Sequence, residues 1–114
     1  MRKYTIVPMP TGPFQGLDPL SRLAFGLIWD RLRLSSYNTT GNRSQWIDEE
    51  TGAVYCFYPQ QDLAQDMGCS ERTARRCMQD LERARIISTR RADYGRAYRI
   101  TTWGRIEDYM RSDD

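Results

Sequence analysis

Hydrophobic positions along this chain fall into patterned stretches separated by polar and turn-forming residues. After Asp18, residues Leu20, Leu23, Ala24, Leu27, Ile28 and Leu32 recur at mostly three- and four-residue intervals, with Arg22, Asp30, Arg31 and Arg33 on the other side. That period predicts an amphipathic helix with a core-facing stripe. Asp18-Pro19 marks its start, because Asp caps free amides and proline is tolerated in the first helical turn. Residues 35–45, rich in Ser, Asn and Thr, predict a polar loop. Trp46-Ile47 and the run 54–58 then flank Asp48-Glu49-Glu50-Thr51-Gly52-Ala53, which predicts a small hairpin.

The second half is more specific. Pro59 opens a short helix, 60–67, with Leu63, Ala64 and Met67 inward. Gly68 suits the left-handed conformation that ends a helix. Ser70 is placed to cap a third helix, with Glu71 at its positive end and Ala74, Cys77, Met78 and Leu81 as its inward stripe, ending near Arg85. Two helices joined by a short turn containing Gly make a helix-turn-helix. Residues 86–91 predict a strand, 92–96 a turn and 97–101 a returning strand. A hairpin directly after a helix-turn-helix is a wing. The fold class is therefore α+β, mainly helical: a winged helix-turn-helix with a small β-hairpin wing. One domain spans residues 1–114, with an extended Pro- and Gly-rich arm over about 1–16. A short C-terminal helix over about 103–111 carries Trp103, Ile106, Tyr109 and Met110 at helical spacing.

Composition changes this picture little, but the placement of charge changes it more. At 114 residues the chain suits a single core. The net charge is only +2. Residues 69–99 nevertheless hold nine arginines against four acids, a local +5 that leaves −3 for the rest. Of 17 basic residues only Lys3 is lysine. The planar guanidinium fork matches phosphate and guanine, so an arginine excess there points towards nucleic acid. Pro8, Pro10 and Pro13 interrupt the N-terminus and leave no apolar signal segment, and no run is long enough to span a membrane; a bacterial cytoplasmic setting is expected.

Catalytic and metal chemistry find little support. There is no histidine, and the three cysteines, Cys56, Cys69 and Cys77, have neither C-x-x-C spacing nor an even count. Cys69 and Cys77 read as small buried apolar residues rather than a redox pair. Asp48, Glu49 and Glu50 read as a solvated turn rather than a metal cluster. No cofactor and no enzymatic activity are expected.

The sequence resembles the N-terminal domain of plasmid replication initiator proteins of the replication initiator A family, over about residues 4–101. The resemblance rests on Leu17-Asp18-Pro19-Leu20-Ser21-Arg22-Leu23-Ala24-Phe25-Gly26-Leu27-Ile28-Trp29-Asp30-Arg31-Leu32-Arg33-Leu34-Ser35, and on Trp46-Ile47-Asp48-Glu49 before Val54-Tyr55. It implies a dimeric winged-helix domain that binds repeated sites in a replication origin of a plasmid or mobile element. Such initiators carry further domains beyond the wing, so further domains or replication proteins are expected partners of a fragment. The Pro8-Met9-Pro10-Thr11-Gly12-Pro13 stretch departs from the family pattern. Surplus apolar residues also favour a homodimer: Trp46, Tyr55, Phe57 and the C-terminal set, which is equally suited to docking on its own domain.

Helix-turn-helix geometry sends the early part of the second helix into the major groove of double-stranded DNA. With the inward stripe fixed, its outer face carries Arg72, Thr73, Arg75, Arg76 and Gln79. Arginine pairs bidentately with guanine and glutamine with adenine. Ser70 is a cap and a candidate phosphate ligand, and Gln60 and Gln61 begin a helix whose free amides suit a phosphate. Arg90, Arg91 and Arg96 are the wing candidates for phosphate or minor groove. The competing readings are ion pairs: Arg76 with Asp80, Arg75 with Glu71 or Gln79, and Arg83 and Arg85 with Asp80 and Glu82. Two other functions remain open, a transcriptional regulator using the same surface and a winged-helix protein-interaction module.

Overall fold

The first helix, α1, runs from Pro19 to Asn38 in the computed structural model. That model describes the backbone of residues 4–38, 54–91 and 98–111 and the side chains of 4–33, 54–90 and 99–111. Asp18 caps α1 through its Oδ1, which accepts from the Ser21 amide at 3.0 Å. The helix continues past residue 35, where polar composition predicted a loop. Ser and Asn cost only about 0.5 kcal/mol each in a helix, too little to end one. Its buried face also differs from the expected stripe. Ser21, Ala24, Phe25, Ile28 and Leu32 are buried, whereas Leu20 is exposed.

The remaining elements follow in order: β1 (Cys56–Phe57), α2 (Gln60–Met67), α3 (Glu71–Arg83), β2 (Ile87–Arg91), β3 (Tyr98–Thr102) and α4 (Gly104–Arg111). The helix-turn-helix and the wing strands fall within a residue or two of expectation. The winged-helix assignment therefore stands. β2 and β3 pair antiparallel, with Thr89 opposite Ile100 and Arg90 opposite Arg99. β1 pairs with β3, Cys56 opposite Ile100, so the sheet order is β1-β3-β2. Among the described residues, then, the 54–58 run serves the wing sheet. Its expected hairpin partner, Trp46-Ile47, and Asp48, Glu49 and Glu50 lie outside the described residues.

The ends of α2 and α3 show one closing motif carried by different residues. At Gly68, with φ of 73°, the glycine amide donates to the Gln65 carbonyl at 3.2 Å and the Cys69 amide to Ala64 at 3.0 Å. At Arg85, with φ of 57°, the amide donates to Glu82 and the Ile86 amide to Leu81, both at 3.0 Å. This pair of bonds satisfies carbonyls that a helix end leaves open. Leu81 and Ile86, which flank the second closure, are both fully buried.

One core cluster draws on every helix and strand. Phe14, Phe25, Ile28, Leu63, Leu81, Ile86, Ile87, Ile100 and Ile106 are its largest fully buried apolar side chains. Burying each stabilises by about 1.5–3 kcal/mol. Phe14 belongs to a single 3₁₀ turn, Gly12–Phe14, within the arm that the sequence predicted to be extended throughout. Its ring packs 4.9 Å from that of Phe25. The arm then lies against α1: Arg22 donates to the Pro8 carbonyl at 3.2 Å, and Thr5 to that of Gly26 at 3.3 Å. A Cβ on Gly26 would stand 2.4 Å from the Ile6 carbonyl oxygen, so this approach requires glycine.

The C-terminal residues dock on their own domain. Ile106 is buried, and Met110 packs against the core. Tyr109 meets the Phe14 ring at 5.9 Å, and Trp103 donates its indole N–H to the Ile87 carbonyl at 3.3 Å. Cys56 and Cys77 are buried packing residues. Burial pushes the Cys56 thiol up to about 12 and raises that of Cys77 too, so both stay protonated at neutral pH. Among the described residues no helix is long and apolar enough to cross a membrane, and no group of His, Cys, Asp or Glu is arranged to hold a metal ion.

Candidate nucleic-acid interface

The sequence of α3 sorts its side chains by side. Ala74, Cys77, Met78 and Leu81 are all buried, as the inward stripe requires. The opposite side presents Arg72, Thr73, Arg75, Arg76 and Gln79, which together line a shallow concavity of about 440 Å³. The five residues expected to face DNA are thus brought together on one surface. The side chains of Arg72 and Gln79 make no hydrogen bond or ion pair among the described residues.

Ser70 sets the start of this surface. Its hydroxyl oxygen accepts from the Thr73 amide at 3.1 Å and donates to the Thr73 hydroxyl at 3.0 Å. The cap is therefore formed as expected, and it occupies both the donor and an acceptor position of the Ser70 side chain.

The two adjacent arginines are held differently. Arg76 reaches between two carboxylates: Nη1 donates to Asp80 at 2.7 Å, and Nη2 to Asp18 at 2.9 Å. The Asp80 pair is the i,i+4 contact the spacing allowed. Asp18 joins from the cap of α1, a partner that sequence spacing does not reveal. Ser21, buried in the contact between α1 and α3, donates to Asp80 at 3.4 Å. Hydrogen bonds from Ser21, then the Arg76 guanidinium, hold the Asp18 carboxyl below the usual aspartate value despite some desolvation. This cluster fixes α3 against α1.

Arg75 instead finds a neutral partner on α2. Its Nε donates to Oε1 of Gln60 at 3.2 Å. The pairings expected for it from spacing, with Glu71 or Gln79, are not formed among the described residues. Gln60 is half-buried at the start of α2, next to the exposed Gln61. The first carbonyl-bonded amide of this helix is that of Leu63, which donates to Pro59 at 2.9 Å, so the amides before it remain available to an anion.

Other links orient the framework rather than the surface. Arg31 of α1 donates to the Phe57 carbonyl at 2.9 Å and stacks 3.7 Å from the Tyr58 ring centre, which ties α1 to the strand leading into α2. Arg105 donates to the carbonyls of Ala84 and Arg85, both at 2.9 Å, and so closes the end of α3 from α4. Thr89 of β2 donates to Glu82 at 3.0 Å, joining the wing to α3. Arg83 pairs with Asp80 at 3.5 Å, in line with its ion-pair reading, while Arg85 lies over the Trp103 ring at 5.8 Å. Of the wing candidates, Arg90 is half-buried within β2 and Arg91 ends that strand. The Arg91 side chain, Tyr94 and Arg96 lie outside the described residues.

Residues 5–108 match the family model described as the N-terminus of replication initiator protein A. The fold is similar to that of several solved structures. One is described as the N-terminal domain of a DNA binding protein, with 18% identity, a TM-score of 0.66, and coverage of 98% of this chain and 89% of that one. A second is described as the structure of an MDR initiator, with 19% identity, a TM-score of 0.64, and coverage of 98% and 90%. A third is described as a Rep–DNA complex, with 18% identity, a TM-score of 0.65, and coverage of 98% and 90%. At these identities the likeness is one of fold. No curated protein sequence matches the chain.

Proposed function

We propose that this chain, which belongs to the replication initiator protein A N-terminal family, is a sequence-specific double-stranded DNA-binding domain that recognises repeats in a replication origin. The observation that carries this reading is the outward side of α3, where Arg72, Thr73, Arg75 and Gln79 surround an open concavity while the inward stripe is buried. A helix-turn-helix presents that side to the major groove, where arginine and glutamine distinguish base edges. A solved structure of similar fold is described as a Rep–DNA complex, which supports DNA as the partner.

In this reading Arg72, Thr73, Arg75 and Gln79 read bases, and Arg76 contributes less because two carboxylates already share its charge. The first amides of α2, at Gln60 and Gln61, meet phosphates, as do Arg90, Arg91 and Arg96 from the wing, and Ser70 does so by turning its hydroxyl proton from Thr73 to the phosphate while it keeps the cap. The chain acts as a single binding domain, in the bacterial cytoplasm where plasmid origins reside, and pairs as a homodimer on its repeats. The dimer is checked by sedimentation at high micromolar concentration with and without duplex; monomer alone in both would overturn it.

The test of base reading is a titration of Arg72→Ala and Arg75→Ala against a duplex selected from random sequence and against its scrambled form. Each variant is expected to lose about 1–3 kcal/mol on the selected duplex and much less on the scrambled one. An equal loss on both would assign these arginines to phosphates, and no binding to any duplex by the unaltered protein would overturn the function.

A further inference from the structure

Arg75 and Arg76 are neighbours on one helix, yet their guanidinium groups are left in opposite conditions. Both Nη atoms of Arg76 donate to carboxylates, so its fork is occupied and its charge is matched by Asp18 and Asp80. Among the described residues Arg75 is held only through Nε, and by a side-chain amide that carries no charge. The contact spans fifteen residues and crosses from the first residue of α2 to the middle of the outward side of α3.

That arrangement has a chemical consequence. A guanidinium bound at Nε keeps both Nη groups, which form a parallel pair of donors along its far edge. Guanine offers two acceptors, O6 and N7, to such a fork in the major groove. A long side chain free to rotate loses entropy when it binds; one already oriented loses less per hydrogen bond formed. Because the orienting group is neutral, Arg75 keeps its full attraction for guanine acceptors, which a carboxylate partner would reduce.

We infer that Gln60 is a positioning residue for base reading: its side-chain oxygen holds Arg75 at Nε so that the Nη edge faces a guanine. This rests on the proposed DNA-binding function, and it gives Gln60 a role separate from any phosphate contact made by the backbone at the start of α2. Gln60 touches no base. It sets which base pair Arg75 reads and how strongly.

The experiment compares base preference at every position of a selected duplex for the unaltered protein, Arg75→Ala, Gln60→Ala, Gln60→Glu and the Gln60→Ala/Arg75→Ala pair. Thermal melting of each variant verifies the fold. Arg75→Ala is expected to erase the preference for guanine at one base pair, roughly tenfold to a hundredfold. Gln60→Ala is expected to weaken the preference at that same base pair only, and the double variant to match Arg75→Ala, since the two residues act as one unit. Gln60→Glu retains the acceptor oxygen but sets a carboxylate against Arg75, so it is expected to keep the same preferred base in weakened form and to lower affinity for all duplexes. Equal weakening at all positions by Gln60→Ala, or additive losses in the double variant, would overturn the inference and leave Gln60 as a backbone or phosphate anchor. If Arg75→Ala shifts no base preference while other positions are still read, the inference fails but the DNA-binding function stands. Loss of all sequence preference in the unaltered protein would instead defeat the function itself.

Discussion

Arg85 shows how a single residue can hide a feature from sequence inspection. Gly68 announces the end of α2 because glycine is the usual occupant of the left-handed position. Arg85 adopts the same conformation, with φ of 57°, and carries the same pair of closing hydrogen bonds. The residue type gives no sharp stop, so the pattern predicts an end near Arg85, whereas α3 ends at Arg83. The conformation costs about 1–2 kcal/mol for a residue with a Cβ. Part of that is offset by Arg105, which donates to the Ala84 and Arg85 carbonyls. Arg85→Gly relieves the backbone cost and forfeits the distant contact with Trp103 and some unfolded-chain order. A net gain of up to about 1 kcal/mol is expected, measured by denaturant unfolding with an unchanged m-value. A loss of stability would mean that the side chain contributes more than the backbone costs. The interface residues divide in the same way. The outward positions of α3 follow from its period of 3.6, and the Arg76–Asp80 pair from i,i+4 spacing. The partners Asp18 and Gln60 come from other helices, and a local pattern carries no information about them.

At the scale of elements, periodicity worked where one side is buried and termini are marked. α2 and α3 have apolar stripes, α2 with a glycine stop and α3 with a serine cap, and both are legible to within two residues. α1 outran its expectation because weak helix formers do not terminate a helix without a breaker. The hairpin expected of the 54–58 run with Trp46-Ile47 reaches outside the described residues; within them β1 pairs with β3, more than forty residues on, a partner its local pattern does not announce. Strand pairing depends on which edge is open in the assembled sheet, and the β2–β3 hairpin leaves one side of β3 open for it. The wing formed by those strands carries its own prediction. Arg91 ends β2 and Arg96 follows in the connection to β3. Each phosphate contact contributes about 0.9 to the log–log salt slope through counterion release. Replacing both arginines by alanine is expected to flatten the slope by nearly two units and to weaken all duplexes alike, with the bases read by α3 unchanged. Titrations over a range of salt measure it. A full slope in the double variant would remove the wing from the DNA interface.

At the scale of the whole molecule, the two ends of the chain close over the same core. The arm brings Phe14 to Phe25, and α4 brings Ile106 and Tyr109 to that neighbourhood. Proline and glycine content made the arm look merely extended, because composition describes local freedom and says nothing of what the segment packs against. The one residue that records the packing is Gly26, whose lack of a Cβ lets the Ile6 carbonyl approach α1. Glycine within a helix costs about 1 kcal/mol relative to alanine, so Gly26→Ala would stabilise an isolated helix. In the folded chain the added methyl would meet backbone rather than a yielding side chain. The arm must then move, with loss of the Thr5 and Arg22 contacts that hold it. Overpacking of this kind costs about 1–3 kcal/mol, which outweighs the gain in helix propensity. Gly26→Ala is expected to lower the melting temperature and to speed protease cleavage before Phe14. Because α3 is fixed by Asp18, Ser21 and Asp80 on the other side of this contact, its base preference is expected to remain. A more stable variant with a protected arm would show that the arm does not bear on α1 in solution; a changed base preference would show that the arm, through α1, helps to set the angle of the recognition helix.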